Sequence, residues 1–331
     1  MKKYPRLKLF SGNSHPELVS AICDEIGKLG VDFSQASVRV KQFSDGEINI
    51  RGMENVRGMD VYILQTGCGL ASGSKNSVND NLFELFLMLD AVKRASAANI
   101  TAVLPYYPYA RQDKKVEPRV PISAKALADL LYVAGAKKIL TMDLHAIQIQ
   151  GFFNGPVDHL FAKSVMIPYL MSFFNEAELG ELLFLSPDVG GAERARAYAK
   201  KFNAQIALID KRREAPNKAE AMNLIGDVSG KIVVILDDMI DTAGTVLEAV
   251  KKAKENGAKS VYICATHGIF SGEAIERIGR CSDLESVIVT DTLPLSDKAK
   301  SCSKIKVASI AGLFAQAIVN LHLNKSLTVL F

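Results

Sequence analysis

A run of apolar residues in this chain ends on two adjacent acids and a small-residue turn. Ile232 to Leu236 are β-formers, Asp237 and Asp238 follow them, and Asp241-Thr242-Ala243-Gly244-Thr245 leads into a helical pattern. Ligands of open α/β sheets bind beyond the carboxyl ends of parallel strands, and the amino end of a helix attracts phosphate. The turn therefore suits a phosphate, and the acids suit hydroxyl groups or a metal ion. An ordinary strand end with a polar helix cap is the alternative.

A second strand pattern ends on an acid and a pair of glycines. Pro187-Asp188-Val189-Gly190-Gly191 follows the apolar run Leu182 to Leu185 and precedes a helical pattern. Paired glycines let backbone N–H groups approach a phosphate, and Asp188 is suited to the magnesium ion that accompanies phosphates. The same five residues also fit a plain Pro-Asp-x-Gly turn, so the motif alone leaves both interpretations open.

Three adjacent cations follow the next apolar run. Lys211, Arg212 and Arg213 come directly after the strand predicted from Ile206 to Ile209. Neighbouring like charges repel one another unless anions neutralise them, which favours a polyphosphate site at this strand end. As a lone charge run, the three residues would be solvated surface.

A proline-rich basic segment follows the strand predicted from Ile100 to Leu104. It contains Tyr109-Ala110-Arg111-Gln112-Asp113-Lys114-Lys115, and the prolines at positions 105, 108, 118 and 121 forbid a regular helix. Loops of this kind act as lids that bring charge to a reacting phosphate and exclude water. The sequence therefore predicts a basic loop over the site.

Two further motifs combine polar groups with turns. Asp143-Leu144-His145 ends the strand predicted from Lys138 to Met142, and the period-two rule puts its carboxylate and imidazole on the same side. A histidine there suits metal or phosphate, although most histidines are structural.

Phe43-Ser44-Asp45-Gly46-Glu47 pairs an aromatic ring with two acceptors, which suits an adenine. A hairpin turn explains the Asp-Gly pair equally well.

These motifs need a scaffold that brings strand ends together. Apolar strand patterns alternate with helical patterns, which indicates an α/β fold with parallel sheets flanked by helices, in two similar halves. The predicted strands are Val61–Gln65, Ile100–Leu104, Lys138–Met142, Leu182–Leu185, Ile206–Ile209, Ile232–Leu236 and Val261–Ala265. One helix is predicted to begin at a capping box of Asn81 and Glu84, and another spans Val246 to Lys254. Gly67 to Asn79 is predicted to be a flexible surface loop.

Length and composition agree with two globular domains. The chain has 331 residues, of which 48% are hydrophobic and 23% charged. A net charge of +4 is too small to indicate nucleic-acid binding, and neither a signal peptide nor a membrane span is predicted. The five cysteines are scattered without a C-x-x-C pair, which indicates neither disulfides nor zinc and suits a cytoplasmic location.

In their order along the chain, the motifs resemble those of the ribose-phosphate pyrophosphokinases, also called phosphoribosyl pyrophosphate synthetases. The resemblance covers nearly the whole sequence. It is carried by Phe43–Glu47, Tyr109–Asp113, Asp143–His145 with Gln148–Phe153, Ser186–Gly191 and Asp237–Thr245. It implies two phosphoribosyltransferase-like domains, the first at 1–160 with 320–331 and the second at 161–319, and a homohexamer assembled from dimers.

The resemblance also implies which residues form the sites. ATP would be bound by Phe43, Asp45, Glu47, Arg111, Gln112, Asp113 and His145, and magnesium by His145 and Asp188. Ribose 5-phosphate would be bound by Asp237, Asp238, Asp241, Thr242, Ala243, Gly244 and Thr245, while Lys211, Arg213, Lys114 and Lys115 would act in catalysis. An effector site for activating phosphate and inhibiting ADP would use Asn55, Arg57, Gln150, Asp158, His159, Ser326 and Phe331, of which Asn55 and His159 depart from the common forms.

The implied reaction transfers the β,γ-pyrophosphoryl group of MgATP to the anomeric hydroxyl of ribose 5-phosphate and releases AMP. Such a transfer asks mainly for alignment and charge neutralisation, so no nucleophilic Ser or Cys is needed. A plain phosphoribosyltransferase would share Asp237 to Thr245 but has no place for Arg111 or His145. A catalytically silent regulatory subunit would lack catalytic groups that are present here. Leu70 to Ser77 is an insertion relative to most members.

Overall fold

Strands alternate with helices along the chain and group into two units, each built around its own sheet. The computed structural model describes residues 6–212 and 221–330, with side chains for 6–210 and 223–330. Unit 1 comprises Met1–Ala162, Thr292–Pro294 and Ser309–Phe331, and unit 2 comprises Lys163–Asp291 and Leu295–Ala308. The C-terminal return to unit 1 thus begins at Ser309, earlier than the expected residue 320, because the last long helix packs on the first helix of unit 1.

The elements follow one another in a regular βα pattern. Up to residue 162 they are β1 (Leu7–Ser11), α1 (Pro16–Lys28), β2 (Phe33–Ala36), β3 (Arg39–Gln42), β4 (Ile48–Arg51), β5 (Asp60–Leu64), α2 (Val78–Arg94), β6 (Asn99–Leu104), α3 (Ser123–Ala134), β7 (Lys138–Met142) and β8 (Val157–Leu160). From residue 163 they are α4 (Lys163–Phe173), α5 (Glu176–Glu181), β9 (Leu182–Ser186), α6 (Ala192–Phe202), β10 (Gln205–Arg212), β11 (Ala221–Ile225), β12 (Ile232–Ile240), α7 (Gly244–Glu255), β13 (Ser260–Gly268), α8 (Ala274–Arg280), β14 (Ser286–Thr290), α9 (Asp297–Ser301), β15 (Ile305–Ala308) and α10 (Ala311–His322). Three 3₁₀ turns are Leu70–Ser72, Ile147–Gly151 and Thr328–Leu330.

Unit 1 contains a six-stranded parallel sheet in the order β2-β1-β5-β6-β7-β8. Strand β5 is buried at every residue, as a parallel strand covered on both faces must be. The chain leaves β1 toward β2 on one side and β5 toward β6 on the other, so the topological switch point lies between β1 and β5. The antiparallel hairpin β3–β4 stands apart from this sheet.

Unit 2 contains a seven-stranded sheet in the order β11-β10-β9-β12-β13-β14-β15, in which only β11 runs antiparallel to its neighbour. Its switch point lies between β9 and β12, because β9 connects to β10 on one side and β12 to β13 on the other. Ligands of such sheets bind at the carboxyl ends of the two strands that flank this point. Those ends carry the Asp188 motif and the Asp241–Thr245 turn.

The predicted ends of β12 and β10 are wrong. Strand β12 continues through Asp237 and Asp238 to Ile240, because it stays paired with β13 up to Ile240 and Gly268. Strand β10 likewise continues through Lys211 to Arg212, because it pairs with the antiparallel β11 there. Both extensions rest on partners distant in sequence, which a local apolar pattern does not reveal.

The predicted start of α2 is also wrong. Ser77 caps the helix, and its hydroxyl and the Asp80 carboxylate form a reciprocal capping box. Asn81 and Glu84 lie inside the helix, and both are fully buried. The segment predicted as a flexible surface loop, Gly67 to Asn79, is partly buried: the Ser74 hydroxyl accepts a hydrogen bond from the Asn81 amide at 3.0 Å.

Strand β13 also continues beyond its predicted end at Ala265, to Gly268, because it stays paired with β12. The remaining predicted strands occur within one residue of the predicted places, and α7 covers the predicted helix Val246 to Lys254. Short strands at the sheet edges and in the hairpin were not predicted, because four-residue strands such as β2 and β8 carry too little pattern. Among the helices of the described residues, none has the length and apolarity to cross a membrane.

Candidate functional site

The acid pair of β12 lies at the switch point of unit 2. Asp237 is 19% and Asp238 7% exposed, and the Asp238 backbone N–H donates to Oδ1 of Asp237 at 2.8 Å. Burial and the neighbouring Asp238 charge raise the pKa of Asp237 to about 7, and the Arg194 guanidinium, 3.9 Å away, opposes that rise. Asp237 therefore presents a carboxylate whose charge is poised near neutral pH. The carboxylate oxygens of the pair are suited to accept hydrogen bonds from sugar hydroxyls.

The turn after β12 has the backbone of an anion cradle. Ala243 is buried and adopts φ 62°, in the left-handed region that a residue with a Cβ rarely occupies. Gly244 begins α7, and the Leu247 N–H is bonded to Ala243 at 3.1 Å. The first N–H groups of a helix have no partner within it, while Thr242 and Thr245 are exposed here. Asp241, Thr242, Ala243, Gly244 and Thr245 thus form one contiguous cradle suited to a phosphate.

The loop after β9 carries Asp188 next to β12, the strand that precedes the Asp241–Thr245 turn. Oδ1 of Asp188 accepts the Gly191 N–H at 2.8 Å, and the Ser186 hydroxyl donates to the Asp188 carbonyl at 2.7 Å. A Cβ on Gly191 would come within 2.4 Å of the Ser186 hydroxyl, so the turn requires glycine there. Asp188 is exposed, and one of its carboxylate oxygens is used by the loop; the other is a hard donor suited to magnesium.

In unit 1, the basic segment after β6 is a loop, as predicted, from residue 105 to residue 122. Arg111, Lys114 and Lys115 are exposed, whereas Asp113 is buried and accepts a hydrogen bond from the Gln148 amide at 2.7 Å. Gln112 is fixed by the Ser123 hydroxyl, which donates to Oε1 at 2.5 Å. Asp113 therefore serves to join two loops, and the exposed Lys114 and Lys115 are available to a ligand.

His145 lies three residues after the last residue of β7 and is exposed. The strand ends at Met142 and Asp143 has φ 37°, so the period-two rule does not extend to Asp143 and His145, and the expectation that they share a side lacks its basis. The Leu144 N–H donates to Nε2 of the buried His159 at 2.9 Å, which fixes His159 as an acceptor at that nitrogen.

Phe43, Asp45 and Glu47 occupy the tip of the hairpin. The Phe43 N–H donates to the Glu47 carbonyl at 2.8 Å, and Oδ1 of Asp45 accepts the Glu47 N–H at 3.0 Å. The turn interpretation of this motif is thus confirmed. All three residues are exposed, and half of the Phe43 surface is open, so the adenine interpretation remains compatible with the same geometry.

The predicted effector residues lie in unit 1 but at several places. Oδ1 of Asn55 accepts the Arg57 N–H at 3.1 Å, and Gln150 bonds the Ile147 carbonyl at 3.1 Å. Burial raises the pKa of Asp158, whose strand neighbour His159 is the acceptor described above. The Ser326 hydroxyl donates to Thr328 at 2.9 Å.

Three residues predicted to act in the site or the effector site are described in part or not at all. Lys211 belongs to β10 by its backbone, and its side chain lies outside the described atoms. Arg213 and Phe331 lie outside the described residues.

Two buried or half-buried charges near these loops were not predicted. Arg194 lies in the first turn of α6, where a positive charge interacts unfavourably with the helix dipole. A cation at this position of a helix was the sequence signal for a nearby carboxylate, which the structure shows to be Asp237. Glu84 of α2 accepts hydrogen bonds from the Asn13 N–H at 2.6 Å and the Gln65 amide at 3.0 Å, and so holds the loops after β1 and β5. Its signal was a charge among the apolar positions of α2.

Comparison with known proteins extends over both units. Residues 7–135 match the profile of the N-terminal domain of ribose phosphate pyrophosphokinase, and residues 213–331 match that of the phosphoribosyl synthetase-associated domain. A ribose-phosphate pyrophosphokinase of Caldanaerobacter subterraneus is 50% identical over 98% of both chains, and one of Neisseria meningitidis is 46% identical over 100% of this chain and 96% of its own.

A solved structure agrees with this sequence relationship. The phosphoribosylpyrophosphate synthetase of Mycobacterium smegmatis superposes with a TM-score of 0.86 at 41% identity, over 96% of this chain and 99% of its own. The α/β fold predicted from the sequence is confirmed by this similarity and by the two sheets described above. The chain belongs to the ribose-phosphate pyrophosphokinase family.

Proposed function

We propose that this chain transfers the β,γ-pyrophosphoryl group of MgATP to the C1 hydroxyl of ribose 5-phosphate. The C1 oxygen forms a bond to the β-phosphorus of ATP, the bond from that phosphorus to the α,β-bridging oxygen breaks, and AMP leaves. The products are 5-phosphoribosyl 1-pyrophosphate and AMP, which supply nucleotide biosynthesis. Relatives that share about half of the sequence over its full length carry the name of this activity.

The single observation that carries the proposal is the pairing of an acid pair with a phosphate cradle at the switch point of unit 2. The left-handed Ala243 immediately precedes α7, whose first N–H groups, those of Gly244 and Thr245 among them, have no partner within the helix and bind the 5-phosphate. Asp237 and Asp238 on the adjoining strand then accept hydrogen bonds from the ribose hydroxyls. A sugar phosphate is the ligand that uses both features at once.

ATP is assigned to the unit 1 residues Phe43, Asp45, Glu47, Arg111, Gln112, Asp113 and His145. An exposed aromatic ring beside two carboxylates suits an adenine, and an exposed guanidinium suits phosphates. The buried Asp113 accepts a hydrogen bond from Gln148 and so fixes the loop that carries Arg111 and Gln112. Magnesium enters with ATP as part of the substrate. Asp188 offers it a carboxylate oxygen and His145 an imidazole nitrogen, and both residues are assigned to the metal.

Neutralisation of the transferring group is assigned to four cations: Lys211, Arg213, Lys114 and Lys115. The reaction needs charge on the equatorial oxygens to be neutralised without a covalent intermediate, which ammonium and guanidinium groups achieve. Lys114 and Lys115 lie exposed on the loop after β6 and can act as part of a lid.

Regulation, assembly and location complete the proposal. Inorganic phosphate activates and ADP inhibits through Asn55, Arg57, Gln150, Asp158, His159, Ser326 and Phe331, and dimers assemble into a homohexamer. A cytoplasmic location fits the free cysteines of the described chain, which suit a reducing compartment. Light scattering of the purified chain measures the assembly, and initial rates with and without phosphate or ADP measure the regulation.

One assay tests the proposed activity. Purified chain is mixed with ribose 5-phosphate, MgATP and inorganic phosphate, and AMP and 5-phosphoribosyl 1-pyrophosphate are quantified by chromatography. Equal amounts of the two products are expected, and omission of ribose 5-phosphate abolishes both. Absence of AMP in a chain that still binds ATP and assembles would refute the enzymatic proposal and favour a regulatory subunit.

A further inference from the structure

We propose that Thr66 is a positioning residue for the loop after β6, which carries Arg111 and Gln112. The inference rests on the proposed function, because that function assigns these two side chains to ATP. It adds a residue of a different loop, the one after β5, which acts through hydrogen bonds to backbone groups rather than on ATP itself.

The loops after β1, β5 and β6 meet at Thr66, which is 1% exposed. The carboxyl ends of parallel strands lie at one edge of a sheet, and β5 stands between β1 and β6. The Ser14 hydroxyl accepts the Thr66 N–H at 2.9 Å, and the Tyr106 N–H donates to Oγ1 of Thr66 at 3.1 Å. Thr66 therefore joins the loop after β1 to the first residues of the Arg111 loop.

The Thr66 hydroxyl is also a donor, to the Thr292 carbonyl at 2.7 Å. Thr292 is fully buried, and the segment Thr292–Pro294 belongs to unit 1 although the residues before and after it belong to unit 2. A hydroxyl has one O–H to donate and lone pairs to accept. One buried group thus satisfies a backbone N–H and a backbone carbonyl from segments distant in sequence, which a methyl group of the same size cannot do.

Close packing continues at Gly67, the residue after Thr66. Its N–H donates to the Tyr106 carbonyl at 3.1 Å, and a Cβ at this position would come within 2.4 Å of Pro108. The loops after β5 and β6 are therefore in contact along their first residues, with no room for a side chain at Gly67. A shift at Thr66 moves the backbone of the Arg111 loop with it.

The rest of the Arg111 loop connects Tyr106 to the residues assigned to ATP. The Gln112 N–H donates to the Tyr109 carbonyl at 2.9 Å, so a turn closes around Arg111, and the Ala124 N–H donates to the Gln112 carbonyl at 3.2 Å. Phosphoryl transfer depends on alignment, and a misplacement of about 1 Å can cost about a hundredfold in rate. Loss of the Thr66 contacts should therefore weaken the use of ATP and leave the ribose 5-phosphate residues of unit 2 unaffected.

Thr66→Val tests the proposal with almost no change in side-chain volume. It leaves the Tyr106 N–H and the Thr292 carbonyl without this partner. The dissociation constant of MgATP, measured by equilibrium dialysis without ribose 5-phosphate, should rise about tenfold. KM for ATP should rise in parallel, and KM for ribose 5-phosphate at saturating MgATP should change less than about twofold. Ser14→Ala, which removes only the acceptor of the Thr66 N–H, provides the same test, with about a threefold rise, if Thr66→Val does not fold.

Two matched variants separate this role from a general loss of stability. Thr66→Ser keeps the hydroxyl and should bind MgATP within about threefold of the wild type. Thr141→Val makes the same change at a buried threonine of β7 whose hydroxyl has no hydrogen-bond partner among the described residues, and should leave MgATP binding unchanged. Equal effects of the two valine variants, or equal losses in Thr66→Ser and Thr66→Val, would overturn the proposal.

Site-resolved trypsin digestion tests the loop without any ligand. The exposed Lys114 and Arg119 lie in the loop, and the exposed Lys28 and Arg280 are reference sites in units 1 and 2. Brief digestion of native Thr66→Val, followed by mass spectrometry, should cleave the loop at least about fivefold faster than in the wild type, with the reference sites unchanged. Equal acceleration at all sites, or none at the loop, would overturn the proposal.

Failure of the proposed function and failure of this inference give different results. A wild-type chain that neither binds MgATP nor releases AMP refutes the proposed function, and the trypsin comparison still decides whether Thr66 fixes the loop. An active wild type together with an unchanged MgATP dissociation constant in Thr66→Val refutes the inference alone.

Discussion

Arg194 of α6 faces Asp237 of β12, with guanidinium Nη1 3.9 Å from carboxylate Oδ1. The distance is too long for a hydrogen bond but short enough for charge attraction, which holds the pKa of Asp237 below the value that burial and Asp238 would otherwise give it. The helix that follows the Asp188 loop is thereby connected electrostatically to the acid pair proposed to hold the ribose.

We expect Arg194→Gln to weaken the use of ribose 5-phosphate selectively. Loss of about 1 kcal/mol of charge attraction corresponds to roughly a fivefold rise in KM for ribose 5-phosphate. KM for ATP should change less than twofold, and Arg194→Lys should recover part of the loss. The neighbouring exposed Arg196→Gln is the matched control. Equal effects on both substrates would argue against this role.

The raised pKa of Asp237 predicts a stability that falls as pH rises. The folded chain binds a proton at Asp237 up to about pH 7, whereas the unfolded chain releases it near the ordinary value of 3.8, so stability is lost between these two pH values. Asp237→Asn removes this penalty. We expect its thermal midpoint to exceed that of the wild type at pH 8, by the equivalent of about 1–3 kcal/mol, with no gain at pH 4.

Calorimetry at the two pH values measures this difference. The exposed Asp283→Asn serves as the control and should shift the midpoint equally at both. A destabilised Asp237→Asn at pH 8 would show that ionised Asp237 is favourable in the fold.

The left-handed backbone of Ala243 predicts a graded response to substitution. A β-branched side chain is strained at φ 62°, and Ala243 is also packed in the core of unit 2. Ala243→Val should therefore lower the free energy of unfolding by about 2–3 kcal/mol and raise KM for ribose 5-phosphate. Ala243→Gly should remain within about 1 kcal/mol of the wild type, because relief of strain offsets lost burial. Urea unfolding and initial rates measure both effects.

The buried Glu84 predicts a large loss of stability when its acceptors are removed. Glu84→Ala leaves the Asn13 N–H and the Gln65 amide without their partner, at a cost of about 3 kcal/mol in free energy of unfolding. Glu84→Gln keeps one acceptor oxygen and removes a carboxylate whose pKa burial raises, so its loss should be less than half as large. Urea unfolding measures both, with the exposed Glu248→Ala as control. Equal losses for the two variants would contradict the acceptor role.

Lys211 is predicted to stabilise the transferring group. Lys211→Ala should lower kcat by about a hundredfold or more, as removal of a charge stabiliser typically does, while KM for both substrates changes little. Turnover of purified enzyme under saturating substrates measures this, with Lys306→Ala as a control that should retain full activity. Near-normal turnover of Lys211→Ala would remove this residue from the mechanism.

Sequence patterns identified the polar motifs at strand ends more accurately than they identified the first and last residues of helices and strands. The runs before Asp188 and Asp237 were identified because buried parallel strands are continuously apolar. The extension of β12 to Ile240 was missed because it depends on pairing with β13, more than twenty residues later in the chain. The same limit explains why Glu84 was assigned to a helix cap: its local sequence matches a capping pattern. Its burial beneath the loops after β1 and β5 depends on contacts distant in sequence.

The sequence by itself determined the α/β fold and family, since the motif order along the chain and the apolar periods are local properties. It also located the turn Asp241–Thr245, which we propose binds phosphate, after its strand. Only the tertiary structure decided which strands flank each switch point, and hence that Arg194 reaches Asp237 and that Thr66 bonds the Thr292 carbonyl. Those contacts join residues far apart in the chain, and their energies depend on register and burial, which no local pattern specifies.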